Sequence, residues 1–193
     1  MIATGIITAP VIATTIALLI TSFGCTPTVR PLNPDNLQIE KAEDALVFGR
    51  IHLMLNGKDQ HTGLRYPTDV EWWISEETRG MRFFIDDLPI EGPYILRLPI
   101  GRYRITALSF DDALGKWHSN LAAAFTVRPG CTYLGTWELQ MQTGMFSGEV
   151  SGQVSDQLAS ARGDVGQLSC SITVMLLESA PQGRVRLVIP LAD

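Results

Sequence analysis

From Ala45 onward the chain is cut at short intervals by turn-forming pairs, and no stretch between them holds three turns of amphipathic helix. That punctuation constrains the fold more than any other feature. Ala45 to Leu55 is rich in β-formers and stops at Asn56-Gly57, a pair suited to a hairpin turn. Asp69 to Ser75 sets Val70, Trp72 and Ile74 on one face and Glu71, Trp73 and Ser75 on the other. Met81 to Ile85 precedes Asp86-Asp87, and Tyr94 to Leu98 and Arg102 to Phe110 flank Pro99-Ile100-Gly101. Leu121 to Val127 ends at Pro129-Gly130. In Thr132 to Met141, Tyr133, Gly135, Trp137, Leu139 and Met141 alternate with Leu134, Thr136, Glu138 and Gln140. Runs over Met145–Val154, Leu168–Leu177 and Val185–Leu191 follow, and only Asp156 to Ala161 invites a turn or two of helix. Alternating runs without intervening helices exclude a parallel α/β sheet and predict an all-β protein, an antiparallel β-sandwich of about 7–10 strands.

Two strand pairs carry a more specific pattern. In Leu98-Pro99-Ile100-Gly101-Arg102-Tyr103-Arg104-Ile105, the proline and glycine make a tight turn. Tyr103 and Ile105 then share one face of the next strand, and Arg102 and Arg104 share the other. Phe125-Thr126-Val127-Arg128-Pro129-Gly130-Cys131-Thr132-Tyr133-Leu134-Gly135 repeats the logic. These motifs, with Phe48-Gly49-Arg50-Ile51 as a first strand, resemble the prealbumin-like sandwiches that include carboxypeptidase regulatory-like domains. The resemblance covers residues 45–141 and implies a fold, since such motifs specify turns and not chemistry. The segment from Met145 on either extends one sheet or caps its edge.

The N-terminus is of another kind. No charged side chain occurs before Arg30, and Ile6 to Ile20 is apolar or Thr, Ala and Gly, interrupted by Pro10. An apolar core ending in small residues reads as an export signal, with an uncleaved membrane anchor as the alternative. Gly24-Cys25 at its end resembles the cleavage box of bacterial lipoproteins. That resemblance implies a signal peptide over residues 1–24, a lipidated Cys25, and a flexible tether over 25–43 leading to a single β-sandwich domain over 44–193. Pro27, Pro31 and Pro34 favour extended backbone in that tether. Thr26, standing where a retention signal would place Asp, implies the outer membrane, with the domain facing the periplasm.

If Cys25 is lipidated, Cys131 and Cys170 remain as one pair in an oxidising compartment. They are either a disulfide or two buried thiols. A formal net charge of −5 leaves no basic surplus for neutralising phosphates, so a nucleic-acid partner is not expected.

Catalytic and metal motifs are not recognised. His52, His61 and His118 share no metal-ligand spacing. Asp86-Asp87 and Asp111-Asp112 suit turns, and the alternative, a calcium site, would need further oxygens. No Gly-x-Ser-x-Gly elbow or phosphate-cradling loop is present. The aromatic residues offer more. Trp72-Trp73 puts one ring on each face of a strand, so Trp73 is either exposed or covered by the loop over Thr78–Arg82. Trp73 and Trp117, with Tyr66 nearby, are candidate stacking platforms. Arg65, Arg79, Arg82, Arg97, Arg102 and Arg104 are candidates for an anionic surface.

The expectation is therefore a non-enzymatic, membrane-anchored envelope lipoprotein without metal or cofactor. It would act as an accessory or protein-interaction module on an envelope partner. The alternative is a carbohydrate- or peptidoglycan-binding module that uses its exposed tryptophans.

Overall fold

Period-two alternation becomes strand almost everywhere that the sequence carries it. The computed structural model describes residues 26–34, 37, 43–57, 69–165, 168–178 and 182–188. The strands are β1 (Thr28–Val29), β2 (Asp44–Leu55), β3 (Asp69–Glu76), β4 (Arg82–Pro89), β5 (Glu91–Pro99) and β6 (Gly101–Asp112). They continue with β7 (Gly115–Val127), β8 (Cys131–Thr143), β9 (Ser147–Ser155), β10 (Ile172–Val174) and β11 (Gln182–Val188). One helix, α1 (Leu158–Asp164), lies between β9 and β10. The protein is all-β in character.

The strands form one open, mixed sheet in the order β1-β4-β3-β6-β7-β11-β9-β8-β2-β5, with β10 beside β8. It is not uniformly antiparallel as expected: β1·β4, β2·β8 and β10·β8 are parallel pairs. The reason is topological. Turn dipeptides direct only sequence neighbours into hairpins, whereas β2 is placed between β5 and β8 by contacts across long separations. Asn56-Gly57 shows the same limit. Both residues adopt the left-handed conformation, yet β2 does not pair with β3. Asn56 instead bonds across to β8, its backbone N–H donating to the Met141 carbonyl (2.7 Å) and its side chain accepting from the Thr143 N–H (2.8 Å).

The halves of the sheet meet through their inward faces. Trp72 of β3 stacks on Trp137 of β8 with centroids 4.5 Å apart and meets Tyr94 of β5 edge-on at 5.4 Å. These strands are far apart in the sheet order, so the sheet curls over a common core, which also takes in Tyr103, Phe110, Trp117 and Phe125. A smaller apolar cluster lies outside β2 and β8, where Leu46, Phe48, Ile95 and Tyr133 pack beneath Ala161 and Val165 at α1. An ion pair between Arg50 and Asp164 ties the helix to β2.

Two glycines make the β2–β8 pairing feasible. The register shifts between Phe48 and Arg50, and a Cβ on Gly49 would lie 2.6 Å from the Tyr94 hydroxyl and 2.7 Å from the Gly135 carbonyl. Gly135, with φ +97, stands where β8 changes partner from β10 to β9. A side chain there would strike Val154 and Leu176.

The expected export signal and Cys25 lie outside the described residues. Part of the expected tether does not: Thr28 and Val29 pair with Phe84 and Ile85. The Leu32 N–H donates to the Ile95 carbonyl (2.7 Å), and Arg30 pairs with Asp86 (2.7 Å) and Asp87 (3.3 Å). Residues 27–32 thus strap across the open edges of β4 and β5. Extended, proline-interrupted backbone suits this edge position, because such a strand needs to pair on one side only.

Candidate functional site

The outward face of β4-β3-β6-β7 carries the side chains best placed for recognition. Trp73 sits in mid-strand, 38% exposed, and its ring packs against Phe84 of the neighbouring strand at 4.6 Å. The Thr78–Arg82 loop does not cover it. Register shifts in β3–β6 and β6–β7 open the face beside it, and the Thr106 hydroxyl donates to the Trp73 carbonyl at 3.1 Å. The result is a shallow depression of about 360 Å³, lined by Trp73, Ser75, Arg82, Thr106, His118 and Asn120. His118 Nδ1 lies 3.0 Å from the Ser109 hydroxyl, which orients the ring. Beyond it Lys116 bonds the Glu71 carboxylate at 2.7 Å.

Trp117 is not part of this face. It is fully buried on the inward side of β7 and stacks on Phe110, with centroids 6.2 Å apart and ring planes 10° from parallel. The hairpin turn falls at residues 113–114, so β7 already runs at Trp117, in phase with the buried Ser119, Leu121, Ala123, Phe125 and Val127. That alternation was the available signal. As a stacking platform Trp117 is excluded by burial.

Cys131 and Cys170 are joined as a disulfide, with Cα atoms 5.7 Å apart. The bridge fastens the segment entering β10 to the start of β8, where the Cys131 N–H also donates to the Ser171 carbonyl (3.1 Å). His61, Arg65 and Tyr66, like Cys25, lie outside the described residues. His52 is half-buried on β2. Among the described residues no group of three or more His, Cys, Asp or Glu side chains is arranged to hold a metal. The Asp pairs are engaged otherwise: Asp86 and Asp87 face Arg30, and Asp111 lies 3.8 Å from Lys116. Asp69, near both pairs, is held above the usual carboxylate range, first by burial and then by the surrounding carboxylates.

The arginines divide. Arg102 and Arg104 are bound by Glu77, with Glu178 also on Arg102, and Arg79 reaches Glu76. Arg82 is exposed and has no ion-pair partner among the described residues. Glu76 is buried, and its carboxylate accepts the backbone N–H groups of Arg79 (2.5 Å) and Thr78 (3.1 Å). The Arg79 N–H bond is the main reason its pKa lies below the usual range. Glu76 therefore holds the β3–β4 turn at the rim of the depression.

A second feature was not read from the sequence. Met145 (75% exposed), Phe146 (60%) and Val188 (52%), with Leu114 (39%), gather where the β6–β7 and β8–β9 turns meet the end of β11. Val188 pairs with Lys116, and the Leu187 N–H donates to the Phe146 carbonyl. The signal was present: Met145-Phe146 stands between Gly144 and Ser147-Gly148, in a turn where polar residues are the norm. This tip lies toward the end of the strands opposite to Thr26, which is level with Ala124 of β7, roughly 30 Å along the strand from Gly115 at about 3.3 Å per residue.

No protein-family model matches the chain, and no curated protein matches it. Among solved structures, a leucine-rich repeat protein from Bacteroides thetaiotaomicron aligns at 14% identity with a TM-score of 0.36. That alignment covers 55% of this chain and 15% of the other, so the chain spans a small part of that protein's length. A likeness at this level carries no argument about fold or function. Among the described residues no helix is long and apolar enough to cross a membrane.

Proposed function

We propose that this chain is a non-enzymatic lipoprotein of the cell envelope, anchored through Cys25 to the outer membrane and facing the periplasm, that binds a protein partner as an accessory module. The observation that carries this reading is the apolar tip of Leu114, Met145, Phe146 and Val188. Large apolar side chains clustered at turns are the composition of an interaction surface. The tip lies toward the far end of the strands from Thr26, so an anchor on Cys25 would leave it clear of the attachment point. The Gly24-Cys25 pair after the apolar segment supports the anchor. The Cys131–Cys170 bridge supports an oxidising compartment.

For the fold, we read the sheet as a prealbumin-like sandwich, β4-β3-β6-β7 over β5-β2-β8-β9, linked through β11. The Trp72–Trp137 stack between the halves supports that reading.

The test is a photo-crosslinking side chain at Phe146 in cells, with the same probe at exposed Arg128 as the control. A discrete adduct in the outer-membrane fraction, specific to the Phe146 probe, is expected. Equal labelling from both positions overturns the tip as the binding surface, and an N-terminal peptide with unmodified Cys25 overturns the anchor. The second reading, glycan binding, is favoured by the hydrogen-bonding Ser75, Thr106, His118 and Asn120 beside Trp73. Retention on peptidoglycan that is lost in Trp73→Ala would establish it in place of the first.

A further inference from the structure

We propose that Trp73 and Phe84, with Arg82 beside them, form a bilayer-contact site that sets the domain directly against the phospholipid surface holding its anchor. This rests on lipidation at Cys25 and adds how the domain is oriented.

The strap makes the connection. The Phe84 N–H donates to the Pro27 carbonyl at 3.0 Å, and Thr28 lies opposite Phe84, which lies opposite Trp73. An outward row of Thr28, Phe84 and Trp73 therefore begins three residues after Cys25. From Pro27 back to Cys25 the chain can reach at most about 7 Å. A lipid on Cys25 thus cannot hold the domain off the bilayer on a long stalk. The strap is held further along by the Arg30–Asp86 pair and the Leu32–Ile95 hydrogen bond. The part of the molecule forced closest to the membrane is the β4 edge and the outer face beside it.

The side chains there have the chemistry of a bilayer interface. Of the four tryptophans, Trp72, Trp117 and Trp137 are fully buried, and Trp73 alone is exposed. It is paired with another aromatic ring, a surface suited to the headgroup level, where an apolar body and a polar N–H are both satisfied. Arg82 occupies the next outward position of β4 toward the strap's entry. Neighbouring Arg102 and Arg104 are engaged by carboxylates, which leaves the Arg82 guanidinium for lipid phosphate. The lipid fixes where the chain is attached but not which face meets the bilayer, and aromatic insertion with a phosphate partner sets that orientation.

Because Trp73 is the sole exposed indole, its fluorescence reports the contact. The full-length protein, extracted from native membranes, is placed in vesicles of phosphatidylethanolamine and phosphatidylglycerol brominated near the headgroup end of the acyl chains. The same preparation gives the mass of its N-terminal peptide. Expected is partial quenching relative to unbrominated vesicles, the three buried tryptophans being spared, abolished in Trp73→Phe and weakened in Arg82→Gln, with an unchanged urea-unfolding midpoint in both variants. Lipidated Cys25 with unquenched Trp73 overturns the bilayer contact and leaves the anchor standing. Unmodified Cys25 overturns the reading beneath it. An unquenched Trp73 whose emission shifts with soluble peptidoglycan fragments assigns the face to glycan and also overturns the contact.

Discussion

Opening the Cys131–Cys170 bridge should lower the stability of the domain by about 4 kcal/mol. The bridge closes a loop with a sequence separation of 39 residues. In the chain-entropy model that restriction costs the unfolded chain about 13 cal/mol/K, or about 4 kcal/mol at room temperature. The segment it fastens has little else to hold it: β10 is three residues long and pairs with one strand. Against a typical total of about 5–15 kcal/mol, the loss is large enough to leave a measurable unfolded population. The assay is urea unfolding of the oxidised protein, of the same protein in reductant, and of Cys131→Ala/Cys170→Ala. The alanine pair avoids burying a hydroxyl at the fully buried Cys131 position. Both perturbations should lower the midpoint together. A loss below about 1 kcal/mol in both would refute the reasoning, because the restriction of the unfolded chain would then not govern the effect. Alkylation of both cysteines in unreduced, denatured protein would refute the bridge itself.

The two candidate tryptophans should separate cleanly: Trp117→Ala costs about 3–5 kcal/mol in urea unfolding through the cavity it leaves, and Trp73→Ala costs less than about 1 kcal/mol. Equal losses would contradict their placement. Two buried tyrosines differ in the same way. The Tyr103 hydroxyl donates to the Pro99 carbonyl at 2.8 Å, so Tyr103→Phe should cost about 1 kcal/mol, whereas Tyr94, whose hydroxyl has no partner among the described residues, should tolerate Tyr94→Phe without loss. Burial raises both phenols well above their ordinary range, so neither should ionise before the protein unfolds in an alkaline titration followed by absorbance. Glu76 supplies the acid-side prediction. Its folded pKa is depressed, so its stabilisation is complete above the unfolded value of 4.5 and disappears as pH falls through the lower folded value. The gap between wild type and Glu76→Gln in urea midpoint should therefore close in acid, and a gap that persists well below the carboxylate range would contradict the cap.

Much of the fold was legible because its signal is local. The inward residues of β8 (Tyr133 and Gly135 apart, Trp137, Leu139 and Met141) stand in plain alternation with more polar neighbours. The pairing of β2 with β8 was not legible, since it joins residues 85 or more positions apart and no turn announces it. The site divides similarly. Trp73 was legible as one of two rings on opposite strand faces, whereas its contact with Phe84 depended on which strand became its neighbour. Trp117, a candidate stacking platform, is fully buried. Its own alternation with Ser119, Leu121 and Ala123 put it inside.

By itself the sequence determined that the chain would be built of strands and where most of them would break. These follow from backbone preferences and side-chain periodicity, which act over a few residues. Only the tertiary structure decided the mixed strand order, the strap of residues 27–32 across β4 and β5, the burial of Trp117, and the gathering of Leu114, Met145, Phe146 and Val188 at one tip. Each depends on which distant strands meet and in what register, and a shift of one residue would exchange the two faces of a strand.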